Sequence, residues 1–285
     1  AQVGSGRLQL GAWPRAQRVP KMEEPAPAAA VDDRPGDQDI IAHEREVREA
    51  AEAVPLVGPQ ASLEWLKVQY AENAGFLPKV QALEQRFVGL RRTRPDGNCF
   101  YRAYLFGIFE QLLGHKDRLA AFTARAKDFL DTCMKAGYER VAVEDFHDEF
   151  TACLVQISVE GATLSLMEDM LRECDGYLVC WMRILTSAHL KLHKDDYEAF
   201  LSSHSSIADF CTQEVDPMST EADHLQIAAL SSCLGVPVCV VYLDRSEGDT
   251  AAEHLFQDSS TSGAGGFALV HLLYRPGHYD IIYPR

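Results

Sequence analysis

The sequence reads as an α+β or layered α/β domain, on three observations. Segments with helical periodicity fill the middle of the chain, short β-branched segments gather at its C-terminal end, and no internal repeat is visible. At 285 residues, 47% of them hydrophobic and 24% charged, the chain has the length of one large domain, or of one domain plus an extension, and the composition of an ordinary globule.

Residues 1–37 are rich in Ala, Pro, Gly and charge, EEPAPAAAVDDRPGD above all, and read as disordered. Met22 opens that acidic stretch like a natural start, and residues 1–21 are on that reading expected to be upstream or non-native sequence. Residues 38–90 read as a helical N-terminal arm of three helices. These are DIIAHEREVREAAEAV before Pro55, SLEWLKVQYAENA with Leu63, Leu66 and Tyr70 facing inward, and KVQALEQRF running up to Gly89. None is apolar enough to build its own core.

The remaining stretch, 91–285, is expected to form the main domain. FYRAYLFGIFEQLLG is apolar on nearly every face and predicts a buried helix. DRLAAFTARAKDFLDTCMKAG predicts one amphipathic helix with Leu119, Phe122, Phe129, Leu130 and Cys133 as its core stripe and Gly137 as its stop. VEDFHDEFTACLVQI follows with Phe146, Phe150 and Leu154 on one face, then YLVCWMRILTSAHLKL, then ADHLQIAALSSCLG ending at Gly235. VPVCVVYLDR reads as a strand that gives way to a polar loop, SEGDTAAEH; FALVHLLYRP and HYDIIYP are two more, joined by a Pro276-Gly277 turn.

A net charge of −15 argues against nucleic acid as the main partner, since phosphate binding needs a basic face, and favours partners with basic surfaces. No apolar run approaches the roughly 20 residues of a membrane helix. The N-terminus lacks the apolar core of a secretory signal. Eight cysteines, none in a C-x-x-C pair, fit free thiols in a reducing compartment, cytosol or nucleus.

One cysteine is placed differently. Asp96-Gly97-Asn98 is loop chemistry, and Cys99 falls where that loop enters the buried helix. A thiol at a helix N-terminus meets unpaired N–H groups and the positive end of the dipole, which favour its thiolate and could hold an oxyanion. Far downstream, GHYDIIY places His278 and Asp280 two residues apart in a strand, so both leave the same face. A histidine there can take the thiol proton while the aspartate fixes its tautomer, the requirement of a triad.

With these residues in view, DGNCFYRA at 96–103 resembles the signature around the catalytic cysteine of the ovarian-tumour (OTU) family. The wider set is similar to the otubain subfamily: RTRPDGNCFYRA, VEDFH, YLVCWMRILTSAHL, FCTQEVDPMSTEADHLQIAAL and LLYRPGHYDIIYP, in order over roughly residues 39–285. The resemblance implies a papain-like OTU cysteine protease fold, a small central β-sheet between helical layers, acting on isopeptide bonds of ubiquitin and favouring chains linked through ubiquitin's lysine 48. It makes Cys99 the nucleophile, His278 the general base, Asp280 its orienting partner, and Asp96 the residue that shapes the oxyanion loop. The Gly97, Asn98 and Cys99 amides are the donors it suggests. No metal or organic cofactor is required, and a monomer suffices. The alternative it offers is a non-catalytic regulator that binds ubiquitin and blocks ubiquitin-conjugating enzymes through the N-terminal arm.

Other residues have plainer readings. His224 with Glu221 and Asp223 resembles a metal cluster but reads as helix capping, and His147 reads as a structural or solvent-facing helix residue. Trp65 and Tyr70 are divided between packing and ubiquitin contact, and AHEREVREA between a solvated face and a binding helix.

Overall fold

Six strands form one sheet in the order β1-β2-β6-β5-β3-β4 in the computed structural model, which describes residues 53–201, 204–257 and 266–285. The strands are β1 (Val57–Ala61), β2 (Phe87–Thr93), β3 (Val238–Tyr242), β4 (Ala252–Phe256), β5 (Val270–Arg275) and β6 (His278–Pro284). All neighbours pair antiparallel except β3 and β5. The helices are α1 (Glu64–Gln69), α2 (Leu77–Arg86), α3 (Cys99–Leu112), α4 (Lys116–Ala126), α5 (Phe129–Lys135), α6 (Arg140–Ser158), α7 (Leu164–Leu192) and α8 (His224–Leu234). Short helical turns at Lys194–Tyr197 and Ile207–Phe210 link α7 to α8, the second continuing into a π-helical turn at Cys211–Val215.

Side-chain alternation along the strands divides the interior in two. Val238, Val240 and Tyr242 of β3 join a core built on α3–α8, whereas Cys239, Val241 and the following Leu243 join a second core with Leu66, Val80 and Leu83 of α1 and α2. On β6, Tyr279 and Ile281 belong to the first core and Ile282 to the second. The sheet is thus enclosed by helical layers on both faces, as expected of an OTU domain.

This arrangement corrects the expected helical arm over residues 38–90. Its first helix lies outside the described residues, apart from its last two positions. The second and third are present as α1 and α2, but they are one of the sheet's two layers. Lys79 of α2 is fully buried, with Nζ donating to the Asp244 and Ser246 carbonyls at 3.0 and 2.8 Å and to the Ser246 hydroxyl at 2.8 Å. A buried ammonium with all its donors engaged holds α2 on the loop after β3. The expected boundary at residue 90 falls inside β2. The disordered reading of 1–37 also lies outside the described residues.

Three strands were not read from the sequence. β2 is FVGLRRT, whose buried Arg91 carries an ion pair to Glu168 at 2.8 Å and so breaks the apolar alternation. β4 lies in the expected polar loop; it is an edge strand, mostly exposed, and needs no apolar face. β1 is likewise a short edge strand.

The helix expected over 117–137 is two helices, α4 and α5. The break lets Phe122 and Phe129 both reach Phe150, with ring centroids 6.3 and 6.4 Å away, and the Ala126 carbonyl exposed by it lies 3.2 Å from His147 Nε2. His147 is therefore structural. α7 begins thirteen residues before the apolar run that announced it, behind a Thr163 cap whose hydroxyl accepts from the Leu166 amide at 3.2 Å.

Gly107 marks where α3 packs tightest on the sheet: an added Cβ would stand 2.6 Å from Val270 Cγ1. Alanine gains about 1 kcal/mol of helix propensity over glycine, whereas overpacking costs about 1–3 kcal/mol, and valine has no long stem to swing away. We expect Gly107→Ala to lower stability in urea denaturation, and to do so much less in a Val270→Ala background. Equal losses in both backgrounds would contradict this contact.

Candidate active site

Cys99 is the first residue of α3 and 2% exposed, with its Sγ 3.4 Å from the Tyr279 amide of β6. Phe100 anchors the start of α3 by packing edge-on against the Tyr279 ring at 5.6 Å. One strand thus presents His278 and Asp280 on one face, while the tyrosine between them joins the core that contains Cys99. The β5–β6 hairpin fixes their position. Its turn is Pro276-Gly277, Gly277 has φ +75°, and Arg275 pairs with His278 across the strands.

His278 Nε2 lies 2.8 Å from Asp280 Oδ1. That leaves Nδ1 as the nitrogen for the thiol, and it is buried without another protein partner. Burial pulls the His278 pKa down, but the hydrogen bond to Asp280, its charge and the neighbouring Cys99 overrule it and push the imidazole up to about 9. Asp280 is fully buried. Burial alone would raise its pKa; the bonds from His278, Arg275 and the Thr93 amide hold it below the usual carboxylate range. Arg275 donates to Asp280 Oδ2 through Nε and Nη2 at 3.0 and 2.7 Å, and the Thr93 amide to Oδ1 at 3.0 Å. Trp65 of α1 lies under two guanidiniums, Arg92 at 4.3 Å and Arg275 at 5.1 Å from its ring centre. Packing is thus the described role of Trp65, and Tyr70 stacks on Phe76 at 4.8 Å.

The loop before Cys99 is held by two buried arginines. Arg102 donates to both Asp96 oxygens, at 3.0 and 2.8 Å, and to both Asp175 oxygens, at 2.7 and 2.9 Å. Arg183, 1% exposed, donates to the Asn98 side-chain oxygen at 2.7 Å and to the carbonyls of Gly97, Thr220 and Val215 at 3.1, 2.7 and 3.0 Å. Its guanidinium also lies 4.4 Å over the Tyr101 ring. Neither arginine was singled out from sequence, although a lone Arg inside an apolar helix (FYRAY, WMRIL) was a signal.

Asp96 accepts from the Asn98 amide and from Arg102, and so ties the loop before Cys99 to α3. One expected donor is displaced. The Asn98 amide is bonded to Asp96 Oδ1 at 3.0 Å, so Asn98 contributes its side chain to the loop and not a free amide. The Gly97 and Cys99 amides carry no such bond among the described residues. His224 follows the capping reading: it is the first residue of α8, which Asp223 caps in a capping box with Gln226.

A thiol, an imidazole aligned by a buried carboxylate, and two open amides at a helix N-terminus form a complete set for acyl transfer without a cofactor. The otubain peptidase family (Peptidase C65) matches residues 49–284. The chain belongs to that family.

Among its relatives, human ubiquitin thioesterase OTUB1 is 36% identical over 87% of this chain and 90% of its own length. An Arabidopsis thaliana ovarian tumor domain-containing deubiquitinating enzyme 1 is 34% identical over 93% and 90%. A solved complex described as h/ceOTUB1-ubiquitin aldehyde-UBC13~Ub superposes with TM-score 0.78 at 32% identity, over 87% of this chain and 98% of that one. The otubain fold holds along nearly the whole described chain.

Gly97 (φ +75°) is the tightest point of the loop, since an added Cβ would stand 2.1 Å from the Ser219 carbonyl oxygen. Gly97→Ala must move the loop and its amides. We expect a fall of about a hundredfold or more in kcat with native circular dichroism, the scale of losing an oxyanion donor. Near-normal turnover would show that the loop opens without disturbing its donors.

Proposed function

We propose that this otubain is a cysteine-type deubiquitinase that hydrolyses isopeptide bonds of polyubiquitin, favouring lysine 48 linkages, with Cys99 as nucleophile, His278 as general base and acid, and Asp280 as its orienting partner. The observation that carries this is the buried His278–Asp280 pair on β6, with the Tyr279 amide between them 3.4 Å from Cys99 Sγ at the start of α3. The Cys99 proton passes to His278 Nδ1, and the thiolate attacks the carbonyl of ubiquitin's C-terminal glycine. The Gly97 and Cys99 amides face the resulting oxyanion. On collapse, His278 gives its proton to the departing lysine amine. Water then attacks the thioester with His278 again as base, releasing ubiquitin and restoring the thiol.

Eight unbridged cysteines support a cytosolic or nuclear setting for this chemistry. A second reading rests on the solved relatives, which are complexes of OTUB1 with ubiquitin aldehyde and UBC13~Ub or UBCH5B~Ub. We infer that this chain also binds ubiquitin-charged conjugating enzymes, a function that does not need the thiol.

Cleavage of a panel of di-ubiquitins by the full chain, by Cys99→Ala and by a variant lacking residues 1–52 separates these readings. We expect cleavage of the lysine 48 linkage, and its loss in Cys99→Ala. No cleavage of any linkage, with ubiquitin still bound, would leave only the binding reading. The truncation stops at residue 52 because β1 belongs to the sheet.

The imidazolium is the acid for the leaving amine, so kcat/KM should fall on the alkaline side near pH 9, where His278 loses its proton. Asp280→Asn removes the main support of that proton and should move the alkaline limb to lower pH. The sign for stability agrees. A histidine whose pKa is raised on folding stabilises fully below its unfolded pKa of about 6.5, and that contribution is lost as pH rises through the folded value. An unmoved alkaline limb in Asp280→Asn would contradict the assigned pair.

A further inference from the structure

We propose that Glu149, Cys153 and Cys174 form a binding site for a zinc-class divalent cation that ties α6 to α7. Glu149 and Cys153 are four residues apart on α6 and so share a face, and Cys174 meets them from α7. Their three ligand atoms all lie within 4.8 Å of one another, and Cys174 Sγ donates to Glu149 Oε1 at 2.7 Å. A tetrahedral zinc ion places its sulfur and oxygen ligands roughly 3.5–3.8 Å apart, so small side-chain rotations close this set around an ion. Cys153 is buried while Glu149 and Cys174 are half-buried, which gives the site a closed floor and an open side. Through that side an ion enters and water can take the fourth position.

The donor set selects the metal. Two sulfurs and one carboxylate suit a borderline-soft cation, not the all-oxygen shells of calcium or magnesium. Both cysteines are unbridged, and a bound dication favours their thiolate form. On binding, each thiol gives its proton to solvent, the Cys174–Glu149 hydrogen bond is replaced by two bonds to the metal, and no electron changes hands. The site does not include Cys99, but Cys174 precedes Asp175, the carboxylate that holds Arg102 on the Asp96 loop. An ion on Cys174 steadies that end of the chain of contacts.

The test is titration of the reduced, metal-stripped full chain with cobalt(II), followed by displacement with zinc(II). One cobalt per chain should bind, with thiolate-to-cobalt charge-transfer absorption that zinc removes. Cys174→Ser should abolish the band, and Glu149→Gln, which keeps the side chain's shape, should weaken binding by about tenfold or more. Cys99→Ala should keep the band, which excludes the catalytic thiol as ligand. Thermal unfolding without metal checks that each variant is folded. Absence of the band in the folded wild type, its survival in Cys174→Ser, or its loss in Cys99→Ala would each overturn the site. So would rapid Cys153–Cys174 disulfide formation in air in place of cobalt binding.

Discussion

Asp280 is a carboxylate with no exposure to solvent, and much of the described architecture serves to keep it charged there. An isolated buried carboxylate would neutralise itself by taking up a proton, and a neutral Asp280 could not align an imidazole. Four donors from three strands prevent this: His278 on its own strand, the Arg275 guanidinium twice from β5, and the Thr93 amide from β2. Arg275 is in turn packed over Trp65 of α1. The charge of one residue thus fixes the β2–β6–β5 order, the hairpin register and the layer that covers it.

The same logic recurs on the Cys99 side with the sign reversed. Arg102 is a buried cation offset by two carboxylates, with one charge in excess on the acidic side. Arg183 has carbonyls, an amide oxygen and a ring face instead. Neutral oxygens are weaker partners than a carboxylate, yet they belong to two separate loops, so Arg183 can satisfy itself only if residues 97–98 and 215–220 come together. Ser219, at φ 63° without being glycine, lies in the second of these loops and presses its carbonyl toward Gly97. The local cost of such a backbone is about 1–3 kcal/mol, and the contacts to Arg183 and Asn98 are what hold it.

What could be read from the sequence follows from this division. Cys99, His278 and Asp280 were legible because helix start and strand alternation are local patterns. The helices of the large core, β3, β5, β6 and the Pro276-Gly277 turn were legible for the same reason. The orienting network was not, because Arg275–Asp280, Arg102–Asp175 and Arg183–Asn98 join residues whose closeness only the topology creates. β2 was hidden by its own function: Arg91 and Thr93 are buried polar residues in a strand, and each breaks the apolar alternation that would have announced it. The split between α4 and α5 was hidden because its cause, Phe150, lies on another helix.

The N-terminal layer shows why misreading an element's type changes the functional argument. Taken as part of the 38–90 arm, residues 55–90 would be a substrate-binding appendage, removable without touching the chemistry. As observed, they supply α1, which stacks Trp65 on Arg275, and the first four residues of β2, the strand whose Thr93 amide donates to Asp280. Removing them would expose the second core, open the edge of β6 and leave the Thr93 donor without most of its strand. Loss of activity on cutting into this region would therefore report on the state of the His278–Asp280 pair before it reported on substrate contact. Only changes N-terminal to Pro55 can isolate a binding role.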